Sequence, residues 1–365
     1  MLPQLDGLRF MALDFEVFII RTLPVKFFES CLLSLKETLP ERFDRSRIKP
    51  INERNTRETT LNEILSVRDS DKDLFIVADD IIFLPGWYEQ LVEYYTNGEI
   101  IGFSMIDAER DFLQDFGYDI ISVDGELTFR GLHKYKHQDE LKLPVIRECD
   151  AVTGCAMFIN KSVFDNVKEF PIDGSNRWGE LIFCQIAKQY GHRTIVLSAH
   201  LKHYGISTKQ KNNIYKSSIS WLVERELWKN NVIKYLTDIV PKEKITNKVS
   251  ESITNLIYKS NNCLIYGAGT VANSILLSLI NDENVDICTG LTEEIDLCLL
   301  DKAILNVNII DKAIYDIIII TSIGYEDIII PSYFSNYLDK IIKLKIRQDS
   351  NILNIETFNH DAFQG

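Results

Sequence analysis

The sequence predicts an α/β protein with two domains of unequal size, and three observations support this prediction. The chain has 365 residues, which is more than a single hydrophobic core usually supports. Short apolar runs typical of buried strands alternate with amphipathic stretches of helical period, as in a mostly parallel sheet. After residue 262, beyond a stretch rich in lysine and glutamate, a second and smaller set of such elements begins.

In the first domain, strands and helices alternate along the chain. Apolar runs predict strands at 15–20, 74–78, 100–104, 156–159 and 194–197, with an edge strand at 47–51 because Pro50 cannot donate a ladder hydrogen bond. The spacing of apolar residues predicts helices starting at Pro24 and covering 59–67, 85–95 and 178–190. The polar region 107–147 is expected to be partly ordered, with a hairpin around DGEL at 124–127.

These patterns divide the chain into four parts. We expect a first domain over 1–215, with helices on both faces of a mixed sheet, and a helical connector over 216–260. A Rossmann-like α/β domain follows over 261–350, where CLIYGAG precedes a helical stretch and IYDIIIITSIG forms an apolar strand. Residues 351–365 are predicted to be a loose tail.

Composition excludes several classes of function. The formal net charge is −13, and without a long Lys/Arg run such a surface repels nucleic acid. The seven cysteines show neither a disulfide framework nor a zinc-site spacing. No signal peptide or apolar run of transmembrane length is present, so we expect a cytoplasmic protein. Peripheral membrane contact and homodimer formation stay open.

Four segments of the first domain place polar residues beside predicted strand or helix ends. They are IVADDIIFLPGWYEQL from residue 76, CDAVTGCAMFINKSVFDNVKEF from 149, RWGELIFCQIAKQYGHR from 177 and SAHLKHYGIS from 198. In this order the segments resemble those of the family 2 glycosyltransferases, which have the GT-A fold. The resemblance extends over about residues 14–210 and supplies the expectations that follow.

The resemblance implies a divalent cation, Mn²⁺ or Mg²⁺, on the diphosphate of a nucleotide-sugar donor. Asp80 matches the last carboxylate of the family's DxD motif, although Ala78 stands at the first position of that motif. His203 matches the metal-binding histidine, with His200 as the second choice. The plainer alternatives are an acidic cap on a strand end and a structural histidine.

Glu180 is the expected catalytic base, because it occupies the position of the family's acidic helix motif before a glycine turn. Gly179 and Ile182 stand where further acids often occur in the family. The sequence RWGE also resembles that of galactosyltransferases, which implies that Trp178 lines the sugar pocket. Asp150 and Gly154 are expected on the acceptor side. Alternatively, Trp178 is a core residue and Glu180 an exposed helix residue.

Residues at the predicted strand ends would contact the donor, because ligands of open α/β sheets bind beyond the carboxyl ends of the strands. These predicted donor-binding residues are Thr22, Asn52, Glu53 and Asp79. The segment RETTLNEIL from residue 57 resembles the family's Arg/Asn helix before the metal strand, which implies Asn62 and Arg57 as further donor-binding residues, with Arg57 on the diphosphate.

The second domain contains Gly267, Gly269 and Thr270 in a G-x-G-x-x-A sequence between a strand and a helix, a pattern of phosphate-binding loops. No acidic ribose contact is evident at the usual distance, since Asp286 lies early in the next strand. A second nucleotide site is therefore one interpretation and a purely structural domain the other. The pattern does not favour NAD.

The resemblance implies an inverting, metal-dependent glycosyltransferase of the hexosyl or a related class. It would move a sugar from a nucleotide-sugar donor to a saccharide or lipid-linked saccharide. The pairing of such a domain with a small Rossmann-like domain is associated with bacterial surface polysaccharide synthesis, which is the role we expect. Two alternatives stay open: a non-catalytic protein that binds nucleotide sugars, and an NAD-dependent sugar-modifying enzyme that acts through its C-terminal domain.

Overall fold

The computed structural model describes the greater part of the chain. The described residues are 13–22, 25–54, 56–95, 99–109, 111–123, 126–131, 142–171, 179–204, 242–245, 248–267, 272, 275–276, 278–279, 284–289, 298–299, 302–321, 329–347 and 352–357.

The chain forms two compact units, and neither is continuous in sequence. The first unit comprises Met1–Asp119, Phe129–Ser207 and Leu227–Ile239. The second comprises Ile120–Thr128, Thr208–Glu226 and Val240–Gly365. Residues 120–128 lie within the predicted first domain but belong to the second unit.

The described part of the chain includes the helices α1 (Val25–Thr38), α2 (Arg57–Val67), α3 (Trp87–Tyr94), α4 (Val163–Asn166), α5 (Gly179–Gln189) and α6 (Glu251–Lys259). The strands up to residue 203 are β1 (Phe15–Arg21), β2 (Ile48–Asn52), β3 (Asp73–Ala78), β4 (Ile81–Ile82), β5 (Glu99–Asp107), β6 (Leu113–Asp115), β7 (Tyr118–Val123), β8 (Glu126–Gly131), β9 (Ile146–Glu148), β10 (Ala156–Ile159) and β11 (Arg193–His203).

The first unit contains a mixed sheet in which the described strands follow the order β2-β1-β3-β10-β5-β11-β4, with β6 and β9 paired at its side. β1 runs parallel to β2 and β3, and β11 runs parallel to β5. β10 is antiparallel to both of its neighbours, β3 and β5. The predicted mixed α/β sheet is therefore confirmed.

Helices cover both faces of this sheet, because side chains of a strand alternate between its two faces. On one face Val17 and Ile19 pack in the same apolar cluster as Cys31 and Leu35 of α1. This cluster also contains apolar side chains of α3, including Trp87. The alternate residues of β1 face the opposite cluster, which includes side chains of α2, α4 and α5.

The second unit adds the strands β12 (Glu243–Ile245), β13 (Lys248–Val249), β14 (Cys263–Tyr266), β15 (Val285–Thr289), β16 (Cys298–Leu299), β17 (Lys302–Asn306), β18 (Ile317–Ile320), β19 (Ile341–Arg347) and β20 (Ile352–Thr357). Its larger sheet has a parallel core of five strands in the order β17-β15-β14-β18-β19. Numbered along the chain, this is the order 3-2-1-4-5 of doubly wound nucleotide-binding domains.

A smaller sheet joins strands that are distant in sequence. Its order is β12-β7-β8, and β12 is parallel to β7 with Glu243 opposite Ile121. β7 and β8 are neighbours in this sheet and lie on either side of residues 124–125, so the predicted DGEL hairpin falls partly outside the described residues.

Two predictions about the second half of the chain differ from the structure. The expected connector 216–260 is not helical throughout, since its described part contains β12 and β13 before α6. The expected tail 351–365 includes β20, which pairs with β19. No helix among the described residues is long and apolar enough to cross a membrane.

A partly buried hydrogen bond fastens α3 to α1. The Trp87 indole nitrogen donates to Thr38 Oγ1 over 2.8 Å, and Trp87 is 1% exposed. We expect Thr38→Val, which keeps the side-chain shape but removes the acceptor, to lower the free energy of unfolding by about 1–3 kcal/mol. Urea denaturation followed by circular dichroism measures this loss.

Ser30→Ala is the matched control on α1, because the exposed Ser30 hydroxyl bonds within its own helix, to the Lys26 carbonyl. This control should stay within about 0.5 kcal/mol of the parent protein. Equal effects of the two substitutions would contradict a specific role for the Thr38–Trp87 bond.

Candidate active site at the carboxyl edge of the first sheet

The order of strands brings several polar segments to one edge of the first sheet. β1, β3, β5 and β11 share a direction, so their carboxyl ends lie at the same edge. β10 runs the opposite way, with Ala156 opposite Val77. The residues preceding β10, among them Gly154, therefore lie at the edge where β3 ends, and the Cys155 carbonyl accepts a hydrogen bond from the Ala78 amide over 2.8 Å.

Asp79 and Asp80 follow β3 and contact different elements. The Asp79 carboxylate accepts hydrogen bonds from the Thr22 amide over 2.7 Å and from Thr22 Oγ1 over 2.9 Å. The Asp80 carboxylate faces the end of β11, where its Oδ1 lies 3.3 Å from His203 Nε2. The two acids therefore have separate tasks: Asp79 ties the ends of β1 and β3, and Asp80 forms a pair with His203.

The Asp80–His203 pair is buried, with Asp80 only 2% exposed. Burial opposes the charged form of His203, but the Cys155 thiol and the Asp80 carboxylate outweigh burial and raise the pKa of His203 well above its ordinary value. On the side of α1, burial raises the pKa of the Cys31 thiol, and the charges of Asp79 and Asp80 raise it further. Asp80 thus acts on the pKa of both His203 and Cys31.

His200, the second choice for the metal-binding histidine, has a different partner. Its Nδ1 lies 2.7 Å from Ser104 Oγ, and burial lowers its pKa. The pairing of β11 with β5 is irregular between Leu197 and Leu201, which includes His200, and becomes regular again before His203. His203 is therefore the histidine that faces Asp80.

Arg57 and Glu180 form a second polar cluster at this edge. Arg57 Nε lies 3.4 Å from Glu180 Oε1, and the Arg57 guanidinium donates to the Gly154 carbonyl over 2.9 Å. Glu180 is 7% exposed in the first turn of α5, so it is not the exposed helix residue of the alternative interpretation. The turn before β10 contacts both clusters, since Cys155 approaches His203 of the Asp80–His203 pair and Gly154 binds Arg57 of the Arg57–Glu180 pair.

Two glycines allow the Glu180 carboxylate to reach this position. A Cβ atom at Gly154 would lie 2.1 Å from Glu180 Oε1, closer than any real contact. A Cβ atom at Gly179 would lie 2.6 Å from Cγ of Glu58, a buried residue of α2. Gly179, which stands where the resembled family often has an acid, thus permits α5 to pack closely on α2.

Two predicted ligand-binding residues have internal partners. The Asn62 side chain donates to the Phe170 carbonyl over 2.9 Å and accepts from the Phe170 amide over 2.7 Å. The Asp150 carboxylate accepts a hydrogen bond from Lys188 Nζ over 2.5 Å and is 2% exposed. Both contacts hold the framework around the site, and direct ligand contact by these two residues stays a prediction.

The remaining predicted residues of the first unit lie at the same edge or outside the described part. Asn52 ends β2 and is exposed, and Glu53 follows it half-buried, with its amide bonded to the Arg21 carbonyl over 3.1 Å. Trp178 lies outside the described residues, so its predicted role in the sugar pocket stays a prediction.

In the second unit, Gly267 follows β14 with a φ of +105°, a conformation that favours glycine. It lies next to the crevice between β14 and β18, where the strand order reverses and doubly wound domains bind ligands. Gly269 and Thr270 lie outside the described residues. Asp286 accepts a hydrogen bond from the Tyr315 hydroxyl over 2.8 Å, so its carboxylate already has a partner within the domain. The second nucleotide site stays a prediction.

Asp80 and His203 satisfy a simple distance test for a shared cation. Two neighbouring ligands of an octahedral ion, each about 2.1 Å from it, are about 3 Å apart. The distance from Asp80 Oδ1 to His203 Nε2 is 3.3 Å. Among the described residues, no group of three or more His, Cys, Asp or Glu side chains is arranged to hold a metal.

Sequence reasoning missed Gln114 and Asp107. The Gln114 amide oxygen lies 2.6 Å from His203 Nδ1, and its nitrogen donates to Asp107 Oδ2 over 2.8 Å. Asp107 ends β5, so the principle that ligands bind beyond the carboxyl ends of strands could have singled it out. Nothing in the local sequence FLQDFG distinguishes Gln114.

Comparisons with known proteins give distant structural similarities. No protein-family model and no curated protein sequence matches the chain. The chain is similar to the crystal structure of GalNAc-T7 with UDP, GalNAc and Mn²⁺ at 10% identity and a TM-score of 0.37, over 52% of this chain and 43% of that chain. It thus matches less than half of the length of that protein.

Two further solved structures are similar over about half of the chain. A197 from STIV shows 15% identity and a TM-score of 0.33, covering 51% of this chain and 83% of that chain. The inositol-1-phosphate CTP transferase from T. maritima shows 11% identity and a TM-score of 0.34, covering 59% and 96%. These similarities are distant and do not assign the chain to a family.

The Asn62 contacts generate a test of its role. We expect Asn62→Ala to lower the free energy of unfolding by about 1–3 kcal/mol, because it leaves both backbone groups of Phe170 without this partner. Ser66→Ala, at an exposed position of the same helix, should change it by less than about 0.5 kcal/mol. Urea denaturation measures both. A substitution that leaves stability unchanged and instead weakens nucleotide-sugar binding would favour the predicted donor contact.

Proposed function

We propose that the first unit is the catalytic domain of a glycosyltransferase. It transfers a sugar, with inversion, from a nucleotide-sugar donor to a hydroxyl of a saccharide or lipid-linked saccharide, in bacterial surface polysaccharide synthesis. One observation carries the proposal: the Asp80–His203 pair and the Arg57–Glu180 pair, from four separate segments of the chain, both adjoin the turn before β10 at one edge of the sheet. A cation-binding pair and a buried carboxylate at one edge are the groups that sugar transfer to a hydroxyl requires.

The donor diphosphate would bind beside Asp80 and His203. A Mn²⁺ or Mg²⁺ ion on Asp80 Oδ1 and His203 Nε2 would supply positive charge to the departing diphosphate. Imidazole nitrogen together with carboxylate oxygen suits Mn²⁺ better than Mg²⁺. The Thr22–Asp79 bonds hold the ends of β1 and β3 in register, so Asp80 has a fixed position relative to the predicted nucleotide-binding residues.

Glu180 would accept the proton of the acceptor hydroxyl. Its carboxylate lies against the Gly154 backbone, and Arg57 orients it through the 3.4 Å contact with Oε1. Burial at the start of α5 limits the number of positions this carboxylate can take, which favours a preorganised base. The Arg57 guanidinium, 13% exposed in its side chain, is close enough to the edge to approach a donor phosphate as well.

Release of nucleoside diphosphate from a panel of nucleotide sugars tests the proposal. With Mn²⁺ we expect turnover of one donor, loss of turnover in EDTA, and a fall of about 100-fold or more in kcat/KM for Asp80→Asn, because the substitution removes a charged cation ligand. Asp71→Asn, an exposed acid nearby in sequence, is the control and should retain activity.

Calorimetry on the same panel distinguishes the alternatives. Binding of a nucleotide sugar without turnover, with every acceptor supplied, would favour the non-catalytic binding protein. Binding of NAD instead would favour the sugar-modifying enzyme and the second unit. If no nucleotide sugar binds in the presence of metal, the glycosyltransferase proposal is wrong.

The role of Glu180 has its own test. Glu180→Gln should lower kcat by roughly 10²–10⁴-fold, because the amide cannot accept the proton. Donor affinity should be preserved, since the amide has nearly the same shape. Glu41→Gln, an exposed position, serves as the control. Gly154→Ala should also lower kcat, because its Cβ atom displaces the Glu180 carboxylate. If Glu180→Gln retains full kcat, another group is the base.

A further inference from the structure

One arginine at the carboxyl edge of the first sheet has no carboxylate partner among the described residues. Arg21 is the last residue of β1 and lies opposite Asn52, the last residue of β2. The next residue, Thr22, bonds the Asp79 carboxylate that follows β3. The Arg21 side chain therefore starts where the ends of β1, β2 and β3 lie side by side.

The Arg21 guanidinium is held in position, but one of its donors is not satisfied. Arg21 Nε is buried and no hydrogen bond reaches it, although the residue as a whole is half-buried. Arg21 Cζ lies 4.7 Å from the centroid of the Phe28 ring on α1, so this ring supports one side of the guanidinium. A buried donor without an acceptor costs free energy, and its presence in a folded protein requires an explanation.

Other half-buried arginines of the first unit have a carboxylate partner. Arg57 contacts Glu180, and Arg147 contacts Asp119. A guanidinium that has lost part of its hydration without gaining a counter-charge interacts more strongly with an added anion than a fully hydrated one does. Arg21 is in this situation, whereas Arg57 and Arg147 already face an acid.

Helix α1 connects Arg21 with the segments that follow β3 and β11. Phe28 packs on Arg21, and its neighbour Phe27 packs against Tyr204 with the ring centroids 5.3 Å apart. The Tyr204 amide donates to the Asp80 carbonyl over 3.1 Å. The first turns of α1 therefore contact both Arg21 and the part of the edge that carries the Asp80–His203 pair.

The charges at this edge determine which anion fits. The chain has a formal net charge of −13, and Asp79 and Asp80 follow β3, so an anion needs local positive charge in order to bind here. Arg21 supplies one such charge, and its planar group forms charge-assisted hydrogen bonds with phosphate oxygens. A diphosphate has oxygens on two phosphorus atoms, so it can contact the guanidinium and a cation together.

We propose that Arg21 is an anion-binding residue that receives a phosphate group of a nucleoside diphosphate. Its side chain lies on the α1 face of the sheet, whereas Arg57 belongs to α2 on the opposite face. The Phe28 ring holds the guanidinium before the ligand arrives, which lowers the cost of ordering it on binding. The identity of the ligand as a sugar donor rests on the proposed function, but phosphate binding by Arg21 does not.

Calorimetry on the full-length protein tests this proposal. The parent and Arg21→Met are titrated with UDP, GDP, CDP, ADP and pyrophosphate, with Mn²⁺ and again in EDTA. The substitution keeps an unbranched apolar side chain beside Phe28 but removes the charge and the donors. We expect the affinity for pyrophosphate and for the preferred nucleoside diphosphate to fall about 10–100-fold, the effect of losing one hydrogen bond between charged groups. Arg21→Lys should recover part of this affinity, because it keeps the charge without the planar group.

Arg42→Met is the matched control. Arg42 is exposed and lies after α1 at the opposite edge of the sheet, where its neighbour Phe43 packs on Phe15 at the start of β1. This substitution makes the same change of charge and should leave both affinities unchanged. Urea denaturation without ligand adds a second readout. Arg21→Met should be as stable as the parent or more stable, because it removes an unsatisfied buried donor.

Three results would overturn the proposal. The first is a parent protein that binds neither pyrophosphate nor any of the nucleoside diphosphates. The second is unchanged affinity in Arg21→Met, and a loss of stability in that case would assign Arg21 a purely structural role. The third is a loss of nucleotide affinity while pyrophosphate binding is absent or unchanged, because Arg21 would then contact the base.

Failure of the proposed function gives a different pattern. If Arg21→Met weakens diphosphate binding while the parent turns over no nucleotide sugar, phosphate binding by Arg21 stands and the glycosyltransferase proposal is wrong. If a nucleotide sugar is turned over equally well by the parent and Arg21→Met, with equal diphosphate affinities, the transferase stands and the role of Arg21 is wrong.

Discussion

The reversed direction of β10 is the constraint on which the site depends. β10 lies between β3 and β5, which both end at the edge of the sheet that carries the candidate site. Because β10 is antiparallel to them, it begins at this edge, and the turn before it lies beside Ala78. This turn supplies the Gly154 carbonyl for Arg57 and the Cys155 thiol for His203. A parallel strand at this place would bring its final residues to the edge instead, and the two clusters would have no common element between them.

Polar groups of the site are held mainly by one another and by backbone. Asp79 is bonded by Thr22, His203 contacts both Asp80 and Gln114, and Glu180 rests on the Gly154 backbone. Buried polar groups are stable only when their hydrogen bonds are made, so such networks restrict each side chain to few positions. Restriction of this kind reduces the reorganisation that a bound donor would require.

The sequence predicted the framework well, because that framework follows from local patterns. The continuous apolar run at β3 and the helical spacing of apolar residues at α2 are both visible without tertiary information. The sequence pattern could not reveal that the Asn62 side chain binds the Phe170 backbone, since the two residues are 108 positions apart. Gln114 was missed for a related reason: its position depends on a bulge, and bulges leave little trace in composition.

The small sheet in which β7 pairs with β12 affects how this protein could be divided or recombined. The residues of β7 that pair with β12, 121–123, lie between two sequence segments of the first unit. β12 follows residue 240, after the last segment of that unit. A chain cut near residue 215 would keep β7 but lose its partner, leaving a strand edge open to association with other chains. Genetic recombination with a single crossover between the two units would also separate β7 from β12. We therefore expect the two units to be inherited together.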